Sequence, residues 1–372
     1  MGITPRQIEN ELEVVGVGQT KTYWLDLNNG NDANDGNFSN SAIATFSEIN
    51  KRIKKNISLE GGRILIELVA NTNYNIEQNF QLGIFVLGFG SIEIKGNFST
   101  FLLNSLGRSP VTFTIDSTGS SVSLFLNGIT FDTNRNGSLV IKNQNNLGTE
   151  ENPITVKCSL TIENAKANSD SIIQSKLYDR IKISRCDGLN LELSFNEQSN
   201  VIVNDSRNIT FKKNTINNRV FYQENLHYYT FNNSESLIVE DLNWRASNNV
   251  SNFLICDRCS VELRYRLNSS VSEIEVENTN AFISLLSSEI RYGFFVFGGK
   301  PVIMTANAVF MDANSTLTIP SNNLSDFVSG NINREKNAKI NGSDFDSEGV
   351  LVTQEDAIAS LKSRVDNLES RS

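Results

Sequence analysis

Apolar and polar residues alternate with a period of two along most of the chain from Arg63 to about Leu286. That period predicts short β-strands with one buried face. Ile64-Leu65-Ile66-Glu67-Leu68, Ile92-Glu93-Ile94, Val111-Thr112-Phe113-Thr114-Ile115 and Ile154-Thr155-Val156 show it. The pattern is most regular in the middle: Ile181-Lys182-Ile183, Leu191-Glu192-Leu193, Val201-Ile202-Val203, Ile209-Thr210-Phe211, Val220-Phe221-Tyr222, Tyr229-Thr230-Phe231 and Leu237-Ile238-Val239. These recur every 8 to 11 residues or so, the spacing of short strands joined by turns. Asn, Ser, Asp and Gly fill the gaps, as in Asn204-Asp205-Ser206 and Asn232-Asn233-Ser234.

Even spacing of this kind fits a hairpin-built sandwich or barrel, or a solenoid with about three strands to a coil. Two-residue hairpins favour Asn-Gly. That pair occurs at Asn29-Gly30, Asn127-Gly128, Asn136-Gly137 and Asn341-Gly342, but not within residues 181–240. Asn tolerates left-handed backbone, and stacked amides in successive coils can bond one another. The fold expected is therefore all-β, a right-handed parallel β-helix. Beyond Leu286, Tyr292–Gly299 is rich in aromatic residues, Val302-Ile303-Met304 and Leu317-Thr318-Ile319 read as strands, and 320–348 reads as polar loop.

Helix signals lie near the ends. Thr4-Pro5-Arg6-Gln7 reads as a capping box with Ile3 and Ile8 as its staple, opening a short helix that presents Ile8, Leu12 and Val15 and stops by Gly16. Thr45-Phe46-Ser47-Glu48 is a second box, followed by Ile49, Ile53 and Ile57 and closed by Gly61-Gly62. In the last segment Leu351, Ile358 and Val365 take heptad a positions, with Gln354, Leu361 and Leu368 at d. Arg364 at g can reach Glu369 at e of a neighbouring chain, its stem covering Val365 and Leu368. Ile358, Leu361, Arg364, Val365, Leu368 and Glu369 are thus the expected trimerisation residues of a coiled coil over 349–372. Four further segments complete the expected plan: attachment (1–21), a loop and capping helix (22–62), the β-helix (63–286), and a β-rich region with loops (287–348).

Composition sharpens this picture. Asparagine is about 14% of the 372 residues, several times an ordinary share. The formal net charge of −9 argues against a nucleic-acid partner, which needs a basic face. With one His, no site can use two imidazoles. No run of eighteen apolar residues is present, so membrane insertion is not expected, and the first residues lack the apolar core of a secretory signal. Four cysteines are too few for a disulfide scaffold.

Tyr23-Trp24-Leu25-Asp26-Leu27-Asn28-Asn29-Gly30-Asn31-Asp32-Ala33-Asn34-Asp35-Gly36, then Ala44-Thr45-Phe46-Ser47-Glu48-Ile49, resembles the opening segment of pectin-lyase-like phage tail spikes and fibres. In that family an aromatic–aspartate strand leads into an NGxDxxDG-like loop and a T-h-x-x-h helix that caps a β-helix. Gly61–Leu68 with Asn73-Tyr74 resembles the first coil, and the likeness spans about residues 22–100. The loop's usual Pro is missing; Phe38-Ser39-Asn40-Ser41 stands there. Arg364–Glu369 likewise resembles the R-h-x-x-h-E trigger of trimeric coils. The resemblance implies a homotrimeric virion tail protein, made in the host cytoplasm, that attaches to the host cell and joins other tail or baseplate proteins.

Candidate chemistry is sparse. The Asn31–Gly36 loop fails a calcium register, with Ala33 at position three and Ala42 at twelve, so Asx turns are expected instead. Cys256-Asp257-Arg258-Cys259 has CxxC spacing without further paired ligands, which predicts a coil corner or core and no metal site. No cofactor is implied. Asp187, Glu192, Asp205, Glu224, Glu240 and Asp241 offer carboxylates for a two-acid glycosidase, but spacing selects no pair, and an enzyme is the less favoured reading. Tyr222, His227, Tyr228 and Tyr229 form a dense aromatic stretch that could stack on surface glycan, or else pack inside the coils. Three functions stay open: a host-binding fibre, a polysaccharide depolymerase, and a connector to another tail protein.

Overall fold

A computed structural model of the chain describes residues 13–53, 57–76, 80–84, 87–103, 111–117, 122–132, 138–143, 148–149, 152–153, 159–167, 172–176, 180–194, 198–213, 225–240, 250–267, 275–278, 280–296, 302–318, 328–334 and 337–340. The protein is predominantly β, with long parallel ladders and very little helix, an arrangement consistent with a parallel β-helix. The chain divides into two compact units, Met1–Ser199 with Asn214–Asn218, and Asn200–Lys213 with Arg219–Ser372.

In the first unit the chain passes back and forth between two parallel ladders. One contains Ile57–Leu68, Leu87–Leu103, Val122–Asp132, Ser159–Glu163 and Arg180–Ser184; the other contains Phe80–Ile84, Val111–Ser117, Ser138–Asn143, Ile172–Lys176 and Asn190–Ser194. Successive strands along the sequence fall in alternate ladders, so each hydrogen-bonded neighbour lies one coil away rather than one hairpin away. This is what parallel pairing requires.

Register stacks like on like. Ile64, Ile92, Leu124, Leu160 and Ile181 form one inward column, and Ile66, Ile94, Leu126, Ile162 and Ile183 a second. All ten are at most 1% exposed. Fully burying such a side chain is worth roughly 1.5–3 kcal/mol, so these columns dominate the unit's stability. An aromatic stack continues the core: Phe101 meets Phe46, Tyr74 and Phe131 edge-on at centroid separations of 6.4, 6.3 and 6.2 Å.

The second unit repeats the scheme. One ladder runs Asn225–Asn232, Val250–Asp257, Asn280–Leu286, Val302–Met311 and Val328–Arg334; the other runs Thr210–Lys213, Leu237–Glu240, Ser260–Leu267, Glu289–Val296, Thr316–Thr318 and Lys339–Ile340. Tyr229, Leu254, Ile283 and Val309 share one inward column, and Phe231, Cys256, Leu285 and Met311 the next. Phe211 stacks flat on Phe231, 5.8 Å apart and 3° from parallel.

Corners account for part of the asparagine excess. Eleven described non-glycine residues have positive φ, and five of them are Asn (71, 97, 164, 208 and 233). Asn visits this left-handed region at lower cost than most residues. Stacked amides follow as expected: Asn164 Nδ2 donates to Asn127 Oδ1 at 2.9 Å, and Asn232 Nδ2 to Asn204 Oδ1 at 2.8 Å.

The same corners carry a repeat that the strand pattern alone does not reveal. An inward strand residue is followed two positions later by a left-handed residue, then by a small buried one. Asp205-Ser206, Asn233-Ser234, Arg258-Cys259 and Ser287-Ser288 follow this rule in the second unit, and Asn164-Ala165 and Arg185-Cys186 in the first. Hydroxyls in the small seat link the coils: Ser206 N–H donates to Ser234 Oγ (3.1 Å), Cys259 N–H to Ser288 Oγ (3.0 Å) and Ser288 N–H to Ser315 Oγ (3.2 Å). These partners are 28, 29 and 27 residues apart, the length of one coil. Ser288→Ala is expected to leave the buried Cys259 N–H without this acceptor and to cost about 1–3 kcal/mol. Denaturant midpoints check this, and Ser288→Thr, which keeps the hydroxyl, should recover part of the loss.

Several expectations are corrected. Val15 lies in the strand Glu13–Gly16, not in a helix, because Val14-Val15 pairs in parallel with Ser58-Leu59; residues 1–12 are outside the described set. The second helix is Phe46–Ile53, and Ile57 starts the strand Ile57–Leu68. Gly61-Gly62 therefore stops no helix. It sits inside that strand where the pairing slips register, Gly61 at φ +83°. Residues 320–348 are not all loop: Val328–Arg334 pairs with Val302–Met311, and Lys339–Ile340 with Thr316–Thr318. Ser329, Gly330 and the Asn residues flanking Ile332 hide the first from periodicity. Ile154–Val156, Val220–Tyr222 and the heptads of 349–372 are outside the described residues.

Candidate functional site

Two surfaces of the first unit gather polar side chains: the loop after Thr20–Leu25 and the outward face of the ladder it joins. The loop is wired by its own carboxylates. Asp26 Oδ1 accepts the N–H groups of Asn28 (3.0 Å) and Asn29 (3.1 Å). Asp32 accepts the N–H groups of Ala44 (3.0 Å) and Thr45 (2.9 Å) and the Thr45 hydroxyl (2.9 Å). Asp35 accepts from Asn37 N–H (3.0 Å) and Ser41 Oγ (2.6 Å), and the Ser41 bond leads in holding its carboxyl below the usual range. The Asx turns expected from the sequence are present, for example Ala33 N–H on Asn31 Oδ1 at 2.9 Å.

Thr45 caps the helix as its motif predicts, with Glu48 N–H donating to Thr45 Oγ1 at 3.1 Å. The reciprocal arm differs. Asp32 takes the Thr45 N–H, freeing Glu48 to hold Lys51 and Arg52, each at 3.1 Å.

Arg52 then closes the loop. Its guanidinium donates to three backbone carbonyls: Asp35 O (2.8 Å), Asp32 O (3.0 Å) and Asn34 O (2.6 Å). Converging carbonyls of this kind are what a hard cation would seek; here a tethered cation fills the place. Arg52→Ala is expected to leave all three carbonyls without this donor and destabilise the loop by roughly 1–3 kcal/mol. Faster amide exchange at Ala44 and Thr45, with the ladder amides unchanged, is the result to look for.

The outward face of the ladder is a polar grid. Trp24, Glu67, Lys95, Asn127 and Glu163 form one row, and Thr22, Leu65, Glu93, Phe125 and Thr161 the next. Lys95 pairs with Glu67 at 2.6 Å, Arg63 with Glu93 at 2.7 Å, and Glu163 meets both Lys182 (3.5 Å) and Arg185 (3.4 Å). Asn97 and Asn127 add amide donors to Glu67 and Glu93. Each carboxylate is thus held by a cation or an amide of a neighbouring strand or corner. The grid can hydrogen-bond polar ligands and offers aromatic surface at Trp24 and Phe125. Its pairs were not among the carboxylates that the sequence singled out, because their partners lie one coil away in sequence.

The residues expected to bind glycan do not gather into a described site. Tyr222 is outside the described residues; His227 and Tyr228 lie on the strand Asn225–Asn232. Tyr229 is 3% exposed, and burial pushes its hydroxyl pKa up. Its alternation with Phe231 turns it into the core, so it offers no face to a sugar. Among the carboxylates, Asp205 accepts from Asn233 Nδ2 at 2.7 Å at a corner, and Glu224 and Asp241 are outside the described residues. All six trimerisation residues are outside them too.

Cys256 and Cys259 occupy the core and corner seats, as expected, at 0% and 5% exposure. Burial raises both thiol pKa values and pushes that of Cys186 to about 11, so all three remain protonated and poor nucleophiles. Among the described residues no group of three or more His, Cys, Asp or Glu is placed to hold a metal, and no helix is long and apolar enough to cross a membrane. Comparison with protein-family models and with curated proteins finds no match.

Proposed function

We propose that the chain is a structural component of a bacteriophage tail fibre, a homotrimer of right-handed parallel β-helices joined at 349–372 by a coiled coil. In this role it attaches the virion to the host cell, contacts surface glycan through polar outward faces, and joins other tail or baseplate proteins. One observation carries the reading. The loop and helix that resemble a tail-spike opening segment, Tyr23–Ile49, lie between two strands that pair in parallel, Thr20–Leu25 and Ile57–Leu68. Leu25 bridges in parallel to Ile43, so this segment covers one edge of that ladder. A structural role also agrees with the polar grid, whose carboxylates are held in pairs.

Light scattering on the full chain tests the trimer, and a monomer at micromolar concentration sinks it. Leu361→Asp with Leu368→Asp removes two d positions and is expected to dissociate the trimer while leaving the ladder circular dichroism intact. Co-precipitation with the other tail proteins tests the connecting role. Reducing-sugar release from extracted host glycan would instead favour a depolymerase.

A further inference from the structure

The corner rule is broken by an insertion in the first unit. Where the strand Leu87–Leu103 runs beside Val122–Asp132, Lys95 pairs with Asn127 and Ser99 with Ile129. Gly96, Asn97 and Phe98 therefore face the single Gly128. Ser99, 0% exposed, takes the small buried seat. The insertion sets two left-handed residues in succession, Asn97 at φ +49° and Phe98 at φ +63°. Asn accepts this backbone, but a Phe there is an outlier, because its Cβ crowds the following carbonyl. Hydrogen bonds on both flanks hold it in place. Asn97 Nδ2 donates to Leu68 O (2.8 Å) and Glu67 Oε1 (3.3 Å), Ser99 Oγ to Val69 O (2.7 Å), and Asn71 N–H to Asn97 O (3.2 Å). The ring gains little burial in return: Phe98 is 74% exposed. Strain that the surroundings enforce without a packing gain is a mark of ligand-holding positions.

We propose that Phe98 is the stacking platform of a binding site for an uncharged sugar ring. The site deepens the glycan contact proposed above and depends on it. What surrounds the ring selects this ligand. The next coil presents Gly128, which has no side chain, and the preceding coil presents Asn71. Glu67, Lys95 and Asn127 form the outward row that leads into this corner. Lys95 is matched to Glu67 at 2.6 Å, so the neighbouring charges cancel and select neither an anion nor a cation. A protein partner docks on joined apolar surface, whereas this ring stands among amides, a carboxylate and an ammonium. A sugar uses both kinds of surface: the C–H groups of one ring face pack on the negative π face, and its hydroxyls bond the polar row.

The test exposes the full-length chain to an array of neutral and acidic oligosaccharides and titrates the neutral saccharide that binds most tightly by calorimetry. Phe98→Gly is expected to weaken that affinity roughly tenfold or more. The melting temperature should stay level or rise, since glycine adopts positive φ freely. Phe98→Asn, which also suits left-handed backbone and lacks the ring, should behave alike, and Phe98→Trp should retain binding. Phe89→Ser removes a different ring, 61% exposed, and should leave the affinity unchanged. Wild-type affinity in both Phe98→Gly and Phe98→Asn overturns this site and leaves glycan contact standing elsewhere on the chain. An equal loss in Phe89→Ser marks unspecific stacking on any exposed ring and overturns the site, as does binding of acidic saccharides alone. A wild-type chain that binds no saccharide at millimolar concentration overturns the site and the glycan contact together, and leaves the trimer to light scattering.

Discussion

Phe101→Ala is expected to lower the stability of the first unit by about 3–5 kcal/mol, the range for deleting a fully buried aromatic ring. Phe101 is 0% exposed and is the shared neighbour of Phe46, Tyr74 and Phe131. Removing it opens a cavity whose walls belong to the capping helix and to three strands, so they cannot close in together. The edge-on ring contacts are lost as well, each worth roughly 0.5–1.5 kcal/mol beyond burial. Denaturant unfolding followed by Trp24 fluorescence in a Trp244→Phe background reports on this unit. Phe101→Leu should recover more than half of the loss, and a midpoint unmoved by the alanine variant would show that the stack adds nothing.

Gly30→Ala is the second large effect. A Cβ at this position would collide with the Ile43 carbonyl oxygen and lie 2.5 Å from Asp26 O, both backbone atoms. Those carbonyls are engaged: Asp26 N–H donates to Ile43 O at 2.9 Å, and Gly30 N–H to Asp26 O at 2.8 Å. Relief must therefore come from moving the loop off the strand Thr20–Leu25, at a cost of roughly 1–3 kcal/mol or more. Thermal melts and amide exchange at Asp26 and Gly30 measure it. A melting point equal to that of the wild type would mean that the loop shifts freely and is no fixed cover for the ladder edge.

Much of the fold was legible in the sequence for a simple reason. Inward positions such as Ile92, Ile94, Ile181 and Ile183 alternate with polar ones, and period two survives without knowledge of partners. The second capping box was legible because Thr45 and Glu48 act within one turn. What could not be read depends on residues a coil apart. Glu67 is an ordinary surface glutamate until Lys95 is placed beside it, and Arg52 an ordinary helix cation until three carbonyls converge on it. Tyr229 misled for the opposite reason: a cluster of aromatics looks like a surface platform, but alternation sends one of them inside. The CxxC spacing is one instance of the corner repeat, legible only once Ser206, Ser234 and Ser288 are seen in the same seat.

That corner has a consequence for how such a chain can change over generations. Its demands are local: a residue that accepts positive φ and a small inward neighbour. The stretch between one corner and the next is left unspecified in length; register partners include both Ile173 with Leu191 and Leu124 with Leu160. A segment inserted between two corners lengthens one coil without disturbing the stacking of the others, because each coil contacts only its neighbours. Variation can therefore accumulate in the connections, where a changing partner would exert selection, while the columns beneath keep their register.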